Sequence, residues 1–103
     1  MNQSRMDWYG MSDIAIVSEL GKRIKATRLR KNFTQTEVAE RAGISVFTVS
    51  QMENGKNTSL YSLVAVLRVL RLLENINDLV PEVAVSPVEL LKNNKKKRIR
   101  ARK

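Results

Sequence analysis

The sequence predicts an all-α chain of five short helices, followed by a short extension and a basic tail. Three observations predict it. Apolar residues recur at helical spacing over most of the chain; Ser or Thr stands ahead of nearly every such stretch; and no segment alternates apolar and polar with the period of a strand. There is no internal repeat.

The elements follow in order. Residues 1–12 read as a loose arm, except that Trp8 and Tyr9 point either to capping of the core or to a contact between copies. Ser12 and Asp13 offer N-cap chemistry for a helix over about 13–31, with Ile16, Leu20 and Ile24 recurring on one face. Asn32 suits the left-handed residue that ends a helix. Thr34 with Glu37 forms a capping box for a short second helix, with Val38, Ala39 and Ala42 inward and Gly43 as its stop. Ser45 caps a third helix over about 46–54, with Val49 and Met52 inward and Gly55 after it. Ser59 opens a fourth, whose stripe is Leu60, Leu63, Val66, Leu67 and Leu70. Val64, Val69 and Leu73 lie partly off that stripe and leave more apolar surface than one small core needs. A fifth helix, over 76–79, stops before Pro81. Residues 81–85 read as a linker, and Ser86-Pro87-Val88-Glu89 as the start of one or two further helical turns. The expected division is an arm at 1–12, one domain at 13–81, and an extension with its tail at 82–103.

Composition narrows the function. A chain of 103 residues with 43% hydrophobic content builds one small core. No apolar run approaches the ~18–20 residues of a spanning helix, and the N-terminus lacks the pattern of a secretory signal, so a cytoplasmic protein is expected. Cysteine and histidine are both absent. No disulfide framework or thiolate metal site is therefore expected, and the commonest general base and metal ligand are missing. Without a glycine-rich phosphate loop or a convergent acid–base pair, the chain does not read as an enzyme, and no cofactor is expected.

Charge is the positive signal. The formal net charge is +9, unevenly placed. No acid follows Glu89, whereas eight bases do: Lys92, Lys95, Lys96, Lys97, Arg98, Arg100, Arg102 and Lys103. A second cluster in the first helix, Lys22, Arg23, Lys25, Arg28, Arg30 and Lys31, also contains no acid. Such runs serve either as solvated faces and tails or as phosphate-binding surfaces that release counterions.

The informative stretch is QTEVAERAGISVFTVSQMEN, residues 35–54. Two short helices are joined through a tight turn at Gly43, where a positive φ is needed. Ala39 is small where the helices cross, and Ile44 and Val49 pin them together. The outer face of the second of these helices is left free, with Val46, Phe47, Thr48, Ser50 and Gln51. Over residues 20–56, LGKRIKATRLRKNFTQTEVAERAGISVFTVSQMENGK, the chain resembles the XRE/Cro/C1-type helix-turn-helix regulators of phages and bacteria. The helical stripe extends the likeness to about residue 79.

The resemblance implies a five-helix lambda-repressor-like domain and a role for each matched position. Val46, Phe47 and Gln51 occupy the base-reading positions. Gln can bond adenine in a bidentate way, whereas Val and Phe suit a thymine methyl. Gln35 is expected to bond a phosphate and brace the recognition helix. Thr48, Ser50, Asn54 and Lys56 fall at phosphate-contact positions. Arg28 and Glu53 match a structural ion pair. Thr27, Asn32 and Phe33 depart from the usual Leu, Gly and Leu. With two of three reading positions apolar, DNA shape gains weight in specificity.

The run LRVLRLLENINDLVPE, then SPVELL and the basic tail, resembles HipB-like antitoxins encoded beside HipA-type kinase toxins. This narrower likeness implies an autoregulating, nucleoid-associated repressor with such a kinase as partner. The family implies a homodimer on a palindromic operator, and Leu72, Leu73, Ile76, Leu79 and Val80 are the candidate dimer surface, or else ordinary core closure. Lys95, Lys96, Lys97 and Arg98 either follow the DNA backbone, enter a minor groove, or await a protein partner. A stand-alone phage-type or XRE-type repressor and a helix-turn-helix protein-interaction adaptor are the alternatives.

Overall fold

The computed structural model describes residues 6–84. The helical turn expected after Ser86 and the basic tail lie outside them. Among the described residues every regular element is helical. A 3-10 turn (Trp8–Gly10) precedes α1 (Asp13–Arg30), α2 (Gln35–Ala42), α3 (Val46–Glu53) and α4 (Leu60–Val69). A second 3-10 turn (Leu73–Asn75) then leads into α5 (Ile76–Leu79).

The first four helices start and stop by one local chemistry. Each begins at a hydroxyl that accepts the backbone N–H three residues on: Ser12 from Ala15, Thr34 from Glu37, Ser45 from Thr48 and Ser59 from Ser62, at 3.0–3.1 Å. At Thr34 the Glu37 carboxylate returns a bond to the cap's own N–H at 2.7 Å, closing the capping box. Each ends in a Schellman motif, in which one left-handed residue turns the chain back on its last carbonyls. The left-handed residues are Asn32, Gly43, Gly55 and Arg71, with φ of 62°, 72°, 75° and 63°. The residue after each donates to the carbonyl five back: Phe33 to Arg28, Ile44 to Ala39, Lys56 to Gln51 and Leu72 to Leu67. In three of the four, that residue is apolar and half-buried against the core, so the stop also packs.

The core draws from α1 to α4: Ile24, Val38, Ala39, Val49, Met52, Val66 and Leu70, none more than 5% exposed. Burial of a Val, Leu, Ile or Met side chain contributes roughly 1.5–3 kcal/mol. The helix crossing at α1 and α3 has a second cause. A Cβ on Gly21 would stand 2.5 Å from the Met52 carbonyl oxygen and 2.7 Å from that of Glu53, so only glycine allows this approach.

Several sequence expectations change. Residues 6–11 are not loose: Asp7 caps the first 3-10 turn, and the Arg23 guanidinium lies 5.1 Å from the Trp8 ring centroid. Arg23 Nη2 also donates to Met6 Sδ at 3.2 Å, and its Nε to Glu19 at 3.0 Å. Tyr9, by contrast, is fully exposed. Of the predicted α1 face, Ile24 is buried but Leu20 is 42% exposed. Of the predicted α4 stripe, Leu60 is 77% exposed. Leu20 stands in the middle of α1 and Leu60 at the first position of α4, and both line a groove that is left open to solvent.

Candidate nucleic-acid interface

α2 and α3 meet through Gly43, and both pack onto the rest of the core through Val38, Ala39 and Val49. Ile44 packs against the same core from the turn. Burying Val49, Met52 and Glu53 fixes which face of α3 points inward, and the opposite face is left to solvent. On it, Val46 is 45% and Phe47 67% exposed, while Gln51 is half-buried beside them. Thr48 Oγ1 shares a 2.8 Å hydrogen bond with the Ser45 cap, and Asn54 Nδ2 reaches Ser50 Oγ at 3.5 Å. Lys56 is exposed just past the end of α3.

A buried polar cluster sets the tilt of α3. Arg28 Nε and Nη2 donate to the two Glu53 carboxylate oxygens at 2.6 and 3.0 Å, a two-point pairing with a fixed plane. Arg28 Nη1 also donates to the Phe33 carbonyl at 2.9 Å, and Gln35 Nε2 to Glu53 Oε1 at 3.0 Å. Arg28 and Glu53 are each 6% exposed, and no buried side-chain nitrogen or oxygen among the described residues lacks a partner. One carboxylate thus ties the C-terminal turn of α3 to α1 and to the start of α2. Gln35 spends one amide hydrogen on this brace.

The structure brings further groups alongside the outer face of α3. Asn57, Thr58, Ser59 and Ser62 line a shallow depression of about 230 Å³ with Phe47, Thr48 and Gln51. Nothing in the sequence links the start of α4 to the side of α3; only the turn at Gly55 places them together. The basic cluster of α1 divides. Arg28 is buried in the brace and Arg23 is held by Trp8, Met6 and Glu19, whereas Lys22, Lys25, Arg30 and Lys31 are exposed.

The helix-turn-helix family model matches residues 24–73, which run from the middle of α1 to the first residue of the second 3-10 turn. Over residues 24–73, just under half of its length, the chain is similar to helix-turn-helix domains. The match supports the XRE-type likeness seen over residues 20–56, and the family is one of DNA-binding domains rather than of enzymes. No curated protein matches the chain. The first half of α1 and all of α5 lie outside the matched helix-turn-helix domain. No helix of the described residues is long and apolar enough to cross a membrane. The candidate dimer residues divide by environment: Leu72 packs against the core, Leu73 is half-buried, and Ile76, Leu79 and Val80 are exposed.

Proposed function

We propose that the protein is a dimeric, sequence-specific transcriptional repressor that lays α3 in the major groove of a palindromic operator. The observation that carries this reading is the outer face of α3. Phe47 is two-thirds exposed and Val46 nearly half exposed, beside the Gln51 amide, on a helix braced by Arg28, Glu53 and Gln35. An exposed aromatic side chain has no structural use there, but it suits contact with a thymine methyl while Gln51 bonds an adenine. Thr48, Ser50, Asn54, Lys56 and the second amide hydrogen of Gln35 are assigned to phosphates, which set register rather than sequence. The tail bases Lys95, Lys96, Lys97 and Arg98 add phosphate contacts without reading bases.

The narrower role we propose is that of an autoregulating antitoxin, with a HipA-type kinase as protein partner. Its support is the resemblance of the chain after residue 67 to HipB-like antitoxins.

The test is a footprint on the DNA upstream of the protein's own coding sequence, in a salt series with scrambled competitor. Two protected half-sites ~34 Å apart, with binding that survives ~150 mM salt, are expected of a two-fold repressor. Equal affinity for scrambled DNA that vanishes with salt would overturn the reading in favour of an adaptor that meets proteins.

A further inference from the structure

Two apolar surfaces of this chain stand open, and neither covers the other. The first is a groove of about 350 Å³ between the N-terminal half of α1, the loop after Gly55 and the start of α4. Ile14, Val17 and Leu20 form one wall, Leu60 and Leu63 the other, and Ile24 closes the inner end. These are large side chains left in water: Ile14 is 81% exposed, Leu60 77%, and Val17 and Leu20 about 40%. The apolar side of α1 thus continues past the point where the core stops.

The second surface is the segment that leaves α5. Leu79, Val80 and Val83 are 72%, 70% and 84% exposed, on chain that is irregular after Leu79. α5 packs chiefly on the 3-10 turn before it, and no residue of 72–84 lines the groove. A socket and a plug of matching character therefore sit on one chain without meeting. The segment after α5 lies outside the 24–73 match, and so does the α1 wall of the groove, Ile14, Val17 and Leu20.

We infer that the groove of one copy receives residues 79–83 of a second copy, and the reverse. Complementary surfaces that do not meet within one chain close as a pair when the exchange is two-fold, since each contact is then made twice. Such an exchange covers both of these apolar surfaces in both copies. It places α1, rather than α5 against its own equivalent, at the centre of the contact. The inference rests on the dimeric reading above and is independent of DNA binding.

The chain contains no cysteine, so cross-linking has no background. Full-length Val17→Cys and Val83→Cys variants are mixed and oxidised, and sedimentation equilibrium is run on the wild type and on Val17→Asp. Circular dichroism confirms that each variant keeps its helices. The expected results are a wild-type dimer, a disulfide between the two different variants, and dimerisation weakened more than about tenfold by Val17→Asp, because a buried unpaired charge is strongly disfavoured. A wild-type monomer would overturn both the dimeric reading and the exchange. A dimer indifferent to Val17→Asp, or one linking Val83→Cys only to itself, would overturn the exchange alone. So would a Val17→Cys/Val83→Cys double variant that closes only within one chain, which would mean that the segment folds back on its own groove.

Discussion

At the scale of single residues, the outer face of α3 and the brace beneath it separate cleanly. Gln51 lies beside exposed Phe47 on α3 and takes no part in the Arg28–Glu53 brace. Gln51→Ala is therefore expected to reduce operator affinity by about 1–3 kcal/mol, with binding to scrambled DNA and the melting temperature unchanged; competition binding against scrambled DNA reads this directly. Arg71 is the opposite case, a residue whose backbone works against its identity. It holds φ 63° at the stop of α4, where Gly43 and Gly55 serve α2 and α3. A Cβ in that conformation costs of order 1 kcal/mol. Arg71→Gly is expected to raise stability by up to about 1 kcal/mol in urea unfolding, the relief being reduced by the greater chain entropy of glycine. Asn32, at φ 62°, has less to gain, because Asn tolerates this region better than Arg does.

At the scale of elements, the α1–α3 crossing decides how α3 is presented. It has two supports: the paired Arg28 and Glu53, and the close backbone approach at Gly21. The first is visible in the sequence because its residues match a known pattern. The second is not, because glycine inside a helix gives no periodic signal and its partner carbonyls lie on α3, far along the chain. Gly21→Ala raises helix propensity by up to ~1 kcal/mol, yet it forces a methyl to within 3 Å of two backbone carbonyls, which cannot rotate aside. A net loss of roughly 1–3 kcal/mol is expected, as for overpacking, with operator affinity falling as α3 shifts. Denaturation and binding measured on the same variant check both effects. An unchanged melting temperature would mean that the two helices separate without cost.

At the scale of the whole molecule, charge is distributed unevenly along the chain. Residues 1–91 hold 11 bases and all 10 acids, so nearly all the net charge of +9 lies beyond them. Arg23 and Arg28 are engaged by other side chains, whereas the eight bases after residue 91 are accompanied by no acid in the sequence. Truncation after residue 91 is expected to weaken operator and scrambled DNA alike. It should also flatten the salt slope by about 0.9 for each phosphate that is no longer neutralised. Binding isotherms at several salt concentrations give that slope, and a preserved slope would mean that the tail does not touch DNA.

The sequence alone determined the helices of this protein. Ser12, Thr34, Ser45 and Ser59 begin them and Asn32, Gly43 and Gly55 stop them through hydrogen bonds that span three to five residues, so the cause and its effect lie in the same short stretch. The outward face of α3 was legible for the same reason, since Val49 and Met52 fix its inner side by spacing. Tertiary structure decided what periodicity cannot. Leu20 and Leu60 stand on apolar stripes yet stay 42% and 77% exposed, because exposure depends on how closely distant elements approach, and here they leave a groove open. Arg23 belongs to a basic run but is drawn to Trp8 and Met6, and Arg71 takes a left-handed turn because Leu72 must pack back on the core. Spacing along the chain says which side of a helix is apolar; only the arrangement of helices in space says how much of that side is covered.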